Sequence, residues 1–241
     1  MTCGNGKGIR FMLGMDDARS GAVLKRLSAM VVPRYSLLLD QVLTNARVSA
    51  WIKRHAGIPT FRQREELFAF VHNEFIRDEP IDYLEFGVMH GESMRTWANL
   101  NRHPESRFFG FDTFNGLPEA WGWVAPAGAF SCDGLAPDIN DGRVSFVKGL
   151  FQESLPGFLQ TFHPRSRLVI HHDADLYSAT LYCLTMLHGL SVPGSLHFFD
   201  EFSSPLHEFR AIEDYCSSYR SRFRALGMTG NFAQQAAFLV E

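Results

Sequence analysis

Apolar residues in the first third of the chain recur at intervals of three and four. This spacing extends over residues 18–55 and again over about 63–75, and it predicts helices. Residues 1–8 are rich in glycine and polar side chains, and we expect them to fray. We therefore predict an N-terminal helical region over residues 1–78 that packs on the rest of the chain.

The pattern changes after Pro80, where short and nearly continuous apolar runs replace the helical spacing. Five such runs predict strands, at 81–88, 107–111, 144–147, 168–172 and 196–199. Helical stretches follow the first and fourth runs, and another helix and two late strands end the chain, at 93–101, 178–190, 207–220, 223–228 and 235–240. The alternation predicts an α/β fold with a doubly wound, mostly parallel, seven-stranded sheet over residues 79–241, forming one structural domain with the N-terminal helices.

Composition narrows the class of partner. The chain has 241 residues, of which 46% are hydrophobic and 20% charged, as in ordinary globular proteins. A net charge of -3 gives no general attraction to nucleic acid or anionic lipid. No apolar run reaches the ~18 residues of a membrane span. We therefore expect neither a nucleic acid nor a membrane as partner.

Four widely spaced cysteines, without a Cys-x-x-Cys pair, suit reduced thiols. The N-terminus also lacks the pattern of a signal peptide, because Asp16 and Asp17 follow its short apolar stretch at once. These features predict a cytoplasmic protein.

Residues 113–142 form a long stretch with little periodicity that contains Trp121 and Trp123. Loops of this length in compact domains are usually functional, often as lids, or they contain a short helix. A tolerated surface insertion is the alternative. We expect a ligand pocket beneath the two tryptophans.

The segment from Glu85 to Ser93 ends the first predicted strand of the sheet and opens a helix. Glycines at 87 and 91 let the backbone bend and approach a ligand, and we expect a Cβ at Gly87 to approach that ligand. A carboxylate at Glu85 would repel a dinucleotide pyrophosphate, whereas it suits the cationic S-adenosylmethionine. Asp112 ends the next strand, where it could accept hydrogen bonds from ribose hydroxyls. A plain strand–helix turn is the alternative.

Carboxylates also follow the fourth and fifth predicted strands. Asp173 and Asp175 lie after one, and Asp200 and Glu201 after the other. In a doubly wound sheet these four groups converge on one crevice, and so much like charge demands a cation. Oxygen ligands favour Mg²⁺ or another hard divalent cation. The alternative is that Asp175 or Asp200 caps a helix.

Two adjacent histidines precede these acids. His171 and His172 lack the His-x-His spacing of zinc hydrolases, so catalytic zinc is not favoured. We expect His171 to be a packed residue that is hydrogen-bonded to the backbone.

Taken together, these segments resemble the macrocin-type O-methyltransferases, a metal-dependent class I family that methylates hydroxyls on antibiotic sugars. The family's Glu-Phe-Gly-Val, Gly-Phe-Asp-Thr-Phe-x-Gly-Leu-Pro, Lys-Gly-x-Phe, Asp-x-Asp-Leu-Tyr-Ser-x-Thr and Asp-Glu-Phe elements match residues 85–88, 110–118, 148–151, 173–180 and 200–202. The resemblance extends from about Arg64 to the end of the chain. It implies a Rossmann-like class I methyltransferase fold.

The resemblance also implies roles for individual residues. Asp173, Asp200 and Glu201 would hold the metal, and Asp175 would be the general base. The cofactor would be held by Glu85, Phe86, Gly87, Val88, Gly91, Ser93, Asp112, Thr113, Gly149, Phe151 and Asp173. Two departures are His172, where the family has an apolar residue, and the stretch 118–143, which would shape the acceptor pocket.

These features predict an S-adenosylmethionine-dependent O-methyltransferase, with Mg²⁺ lowering the pKa of a hydroxyl on a small molecule or sugar. The alternatives are a nicotinamide-dependent oxidoreductase, which Glu85 disfavours, and a non-catalytic S-adenosylmethionine-binding protein. The sequence does not identify the methyl acceptor, and a nitrogen acceptor is one alternative. Nor does it identify the oligomeric state, since the apolar N-terminal helices could pack against a second copy in a homo-oligomer.

Overall fold

From residue 36 onward, two helices and a short strand precede the central strands of the sheet. In the computed structural model, which describes Lys25 and residues 36–241, helix α1 spans Ser36–Arg54 and strand β1 spans Thr60–Phe61. Helix α2 spans Arg64–Val71 and continues as one π-helical turn, His72–Ile76, which confirms the helix predicted over 63–75. The fraying predicted for 1–8, and the part of the first helical region before residue 36, lie outside the described residues except for the helical Lys25.

Within the described residues, eight strands form one sheet. The remaining strands are β2 (Ile81–Phe86), β3 (Arg107–Asp112), β4 (Val144–Lys148), β5 (Arg167–His172), β6 (Leu196–Phe199), β7 (Phe223–Thr229) and β8 (Ala236–Val240). Their order is β1-β7-β8-β6-β5-β2-β3-β4, and all neighbours are parallel except for the antiparallel pairs that β8 makes with β6 and β7. The mostly parallel α/β sheet is confirmed. The count of seven strands is corrected, because β1 has only two residues and leaves no apolar run to detect.

Four helices follow the strands in the second part of the chain. They are α3 (Glu92–Leu100), α4 (Phe151–Thr161), α5 (Tyr177–Met186) and α6 (Glu208–Tyr219). The sequence pattern missed α4 because Pro156 and Gly157 interrupt it, and both residues usually end a helix. The helix persists with Leu155 fully buried in the core beneath it.

Helices cover both faces of the sheet, as predicted. Along β2, the side chains of Ile81 and Tyr83 pack in the core formed with α2 and α3, whereas Leu84 and Phe86 pack in the core formed with α4 and α5. This alternation follows from the two-residue period of a strand. All six residues of β2 are buried, so the strand that carries the predicted cofactor loop lies at the centre of the molecule.

The first part of α1 carries a row of exposed apolar side chains, Leu37, Leu38, Leu39, Val42 and Leu43. Its later residues Val48 and Trp51 are buried against the sheet. None of the helices that the structure describes combines the length and the apolar content needed to cross a bilayer.

Candidate functional site

A cavity of about 420 Å³ opens at the carboxyl ends of the central strands. Its walls come from the loops after β2, β3, β4, β5 and β6 and from the first residue of α2. This is the position where open α/β sheets bind ligands, and the volume is that of a small-molecule site. The structure thus brings the predicted strand-end segments to one place.

The predicted cofactor residues divide into two groups. The cavity wall includes Gly87, Val88, Ser93, Asp112, Thr113, Phe151 and Asp173. Four others are not part of that wall, namely Glu85, Phe86, Gly91 and Gly149. Phe86 is fully buried and stacks on Phe111, which shows that its ring belongs to the core.

The two loop glycines are needed for packing within the protein. Gly87 has φ +92°, and a Cβ there would collide with the backbone carbonyl of Asp173. Gly91 has φ +76°, and a Cβ there would lie 2.9 Å from Pro137 Cγ. The expectation that a Cβ at Gly87 would approach the ligand is therefore wrong, because the backbone after β5 already occupies that space.

Asp112 fastens the loop after β2 to the end of β3. Its Oδ2 accepts hydrogen bonds from the backbone N–H groups of Val88 and Met89, both at 2.8 Å. Its Oδ1 accepts a third from Phe114 at 2.7 Å. Because each carboxylate oxygen has two lone pairs, Asp112 retains capacity for a ligand hydroxyl at the cavity wall.

Glu85 lies behind this wall, with 1% of its surface exposed. Burial raises the pKa of Glu85 to about 8, although the Tyr83 hydrogen bond and the Arg64 charge oppose the rise. The Tyr83 hydroxyl donates to Glu85 Oε2 at 2.7 Å and lies 2.9 Å from His171 Nδ1. At neutral pH the ligand-free protein therefore holds Glu85 mainly as the neutral acid.

His171 is packed as expected, but its partners differ from the predicted backbone group. Beyond the contact with Tyr83, its Nε2 lies 3.5 Å from Asp200 Oδ1. The imidazole therefore lies between the buried tyrosine and the carboxylates at the strand ends.

Asp175 reaches the cavity through a left-handed turn. Strand β5 ends at His172, as predicted, and Asp175 lies beyond it with φ +59°. Its carboxylate still lines the cavity. Burial, followed by the charges of Glu201 and Asp200, raises the pKa of Asp175 to about 7. A carboxylate with this pKa is suited to accept a proton near neutral pH.

The capping alternative for these acids is not supported. The N-cap of α5 is Leu176 and that of α6 is His207, and neither helix has a side-chain hydrogen bond at its cap. Asp175 and Asp200 therefore owe their positions to the strand ends.

A cation from outside the motifs lies among the carboxylates. Arg64 Nη1 is 3.2 Å from Asp200 Oδ2 and 3.7 Å from Asp173 Oδ2. Burial would raise the pKa of Asp200, but His171 and Arg64 lower it overall. Burial and the charge of Asp200 raise the pKa of Asp173 well above its usual value. The expected like-charge repulsion is thus relieved by an arginine.

The three predicted magnesium ligands, Asp173, Asp200 and Glu201, do not form one cluster. Atoms of His171, Asp173 and Asp200 lie within 4.8 Å of one another, whereas Glu201 is not part of that group and accepts a hydrogen bond from Gln234 at 3.1 Å. An imidazole in place of a carboxylate suits softer metals better than Mg²⁺. Arg64 also contacts two of the three groups. As folded, this donor set does not fit Mg²⁺.

The loop 113–142 covers the cavity. Trp121 is 8% exposed and lines the cavity, whereas Trp123 is 80% exposed, so the expectation that both tryptophans cover a pocket holds for Trp121 alone. Ser178 at the start of α5 donates to Glu119 at 2.5 Å and fastens the loop. The described loop contains no helix, so it is a lid-like covering without regular structure.

Sequence reasoning missed three residues of this site. Tyr83 had a signal, because it lies two residues before Glu85 and therefore on the same face of β2. Arg64 had no sequence signal other than its position at the polar start of a helix. Glu208 is fully buried, and its Oε2 accepts the Glu201 N–H at 3.0 Å, a contact that spacing does not reveal.

Comparisons with known proteins agree with this geometry. Residues 84–202 match a family model described as a methyltransferase domain. The chain is similar to CalS11, a calicheamicin methyltransferase, with 21% identity, 82% of this chain and 91% of that chain covered, and a TM-score of 0.56. An apo structure of CalS11, described as a TDP-rhamnose 3'-O-methyltransferase, is 21% identical, with 82% of this chain and 93% of that chain covered and a TM-score of 0.50.

The O-methyltransferase NovP is also similar, with 22% identity, coverage of 73% of this chain and 78% of that chain, and a TM-score of 0.53. No curated protein matches the sequence. The fold is therefore the Rossmann-like fold found in class I methyltransferases.

Proposed function

We propose that this chain is an S-adenosylmethionine-dependent O-methyltransferase that methylates a hydroxyl group on a small molecule or sugar. One observation carries the proposal: Asp175, whose pKa is raised to about 7, lines the same cavity as the loop after β2 and Asp112. A proton acceptor thereby faces the place where a cofactor would lie. The name of CalS11 as a sugar O-methyltransferase supports the choice of acceptor class.

The cofactor is assigned to the wall formed by the loops after β2, β3 and β4. Its methionine end would lie against residues 87–93 and Asp173, and its ribose against Asp112. Its adenine would lie near Phe151, where α4 begins. Glu85 would act from behind the wall, where a cationic ligand would favour its ionised form.

The reaction needs orientation and removal of one proton. The acceptor oxygen attacks the methyl carbon in line with the departing sulfur, and the carbon–sulfur bond breaks as the carbon–oxygen bond forms. Orientation of the two reactants can supply ~7–11 kcal/mol. Asp175 takes the hydroxyl proton, a contribution of typically ~10²–10⁴-fold.

Magnesium, which the resemblance implies, is assigned no step. The donor set differs from the predicted one, and Arg64 already contacts Asp173 and Asp200. Cytoplasmic location and homo-oligomer formation remain predictions from the sequence, as does the division between residues 78 and 79.

Calorimetry with S-adenosylhomocysteine and with NAD⁺ tests the cofactor. We expect binding of the first and none of the second, and the reverse result would favour the oxidoreductase. Formation of S-adenosylhomocysteine from S-adenosylmethionine is then measured with sugars, nucleotide-linked sugars, phenols and amines. Cofactor binding without turnover on any of them would favour a non-catalytic binding protein, and turnover with amines alone would replace the oxygen acceptor by nitrogen.

A further inference from the structure

Arg64 is held in place by the fold. It is the first residue of α2, and Leu67 and Phe68 of the same helix are buried in the core. The Phe68 ring packs edge-on against His171, with 5.3 Å between ring centroids. The helix therefore fixes the guanidinium above the carboxyl ends of β5 and β6.

The guanidinium contacts acidic side chains on both sides of the cavity. Nη1 contacts Asp200 and Asp173, as described above, and Nη2 lies 3.6 Å from Glu92 at the start of α3. The Arg64 side chain is 23% exposed and that of Asp200 is 8% exposed. An isolated surface ion pair contributes little, but this cation has four acidic neighbours, because its Nε also lies 3.3 Å from Glu65 Oε1. One of the four, Asp200, is almost fully buried.

We infer that Arg64 supplies the positive charge of this carboxylate site and competes with divalent cations for the same oxygen atoms. The methyltransferase proposed above then binds its cofactor and turns over without a divalent ion, a consequence that rests on that proposed function. The competition itself does not depend on it.

The competition between Arg64 and a divalent ion follows from the distances of each from the Asp200 carboxylate. Hard divalent ions lie ~2.0–2.6 Å from carboxylate oxygens. An ion on Asp200 Oδ2 would therefore lie at most ~6 Å from Arg64 Nη1, which is itself 3.2 Å from that oxygen. Repulsion between a divalent ion and a guanidinium at this range is strong in a partly buried site. An ion on this oxygen would therefore bind against the charge of Arg64 or displace its guanidinium.

Three variants test the inference. Arg64→Gln removes the charge and keeps hydrogen-bonding groups, whereas Arg64→Lys keeps the charge. Arg62→Gln is the matched control, because Arg62 is exposed two residues earlier on the chain. Mn²⁺ binding to the cofactor-free proteins is measured at pH 7 from the electron paramagnetic resonance signal of the free ion.

We expect Arg64→Gln to bind Mn²⁺ at least ~10-fold more tightly than wild type, since a like charge next to the ion is removed. Arg64→Lys and Arg62→Gln should both match wild type. Equal Mn²⁺ affinity in wild type and Arg64→Gln would overturn the inference. So would tight binding by wild type, which keeps the test decisive if Arg64→Gln does not fold.

Calorimetry with S-adenosylhomocysteine, with and without EDTA, completes the test on wild type. We expect the same affinity in both, and a loss of affinity in EDTA would overturn metal-free cofactor binding. Absence of S-adenosylhomocysteine binding under either condition would contradict the proposed function and leave the Mn²⁺ result to decide on Arg64.

Discussion

Replacing Glu85 with glutamine measures the cost of burying a carboxyl group behind the cofactor loop. Glu85 is 1% exposed, and burial raises its pKa from 4.5 to about 8. Glutamine has nearly the same shape, and its carbonyl oxygen can accept the hydrogen bond from Tyr83. The substitution therefore removes the ionisation and preserves the packing.

The sign and size of the effect follow from that pKa. Because the pKa of this carboxyl is raised in the folded state, its contribution to the free energy of unfolding is complete below pH 4.5. That contribution is lost as the pH rises from 4.5 to about 8. At ~1.36 kcal/mol per pKa unit, the full change is ~5 kcal/mol, an upper value because a partly open state would admit water. Above pH 8 the contribution is constant.

Urea denaturation of the two cofactor-free proteins between pH 5 and pH 9 tests this reasoning. We expect the free energy of unfolding of wild type, relative to Glu85→Gln, to fall by several kcal/mol as pH rises to about 8. Glu105→Gln, at an exposed position, is the control and should run parallel to wild type. If the Glu85→Gln curve also runs parallel to wild type, Glu85 is not neutral in the ligand-free protein and the reasoning fails.

Three further predictions concern the loop and the base. Asp175→Asn should reduce turnover by ~10²-fold or more with an unchanged melting temperature, and the wild-type rate should rise with pH through about 7, a limb that a pH–rate profile of the variant should lack. Gly87→Ala should lower the melting temperature, because its Cβ meets the Asp173 carbonyl, whereas Gly57→Ala should not, since a Cβ there has no neighbour within 4 Å. Asp112→Ala removes the acceptor of three backbone hydrogen bonds, so it should weaken S-adenosylhomocysteine binding in calorimetry and speed amide exchange at Val88; wild-type values in both would contradict its role.

The sheet was predictable because burial on both faces leaves a direct mark on the sequence. Strand β2 is buried along its whole length, and its apolar run is interrupted only by Asp82 and Glu85. Helix α4 was not predictable in the same way, because Pro156 and Gly157 weaken local helix propensity and only packing against the sheet compensates. Local pattern therefore predicts elements whose burial and propensity agree.

The candidate site was predictable to the extent that parallel register determines it. Phe86 pairs with His172, and His172 with Phe199, so the residues just after these strands must meet at one edge. Once the strand order is assumed, that argument alone places Asp173 and Asp200 together. It does not say what fills the space next to Gly87, because a glycine permits close approach by any group, and here the group is protein backbone.

The position of Arg64 could not be predicted from the sequence. Its contact with Asp200 joins residues 136 positions apart, across the boundary predicted between the helical region and the sheet. Register aligns the strand ends, but it does not specify which helix crosses above them, and an arginine at a helix start resembles any solvated one. Four converging carboxylates do require positive charge nearby. A guanidinium fixed by a buried helix and a bound metal ion satisfy that requirement equally well from the sequence, and only the position of α2 distinguishes them.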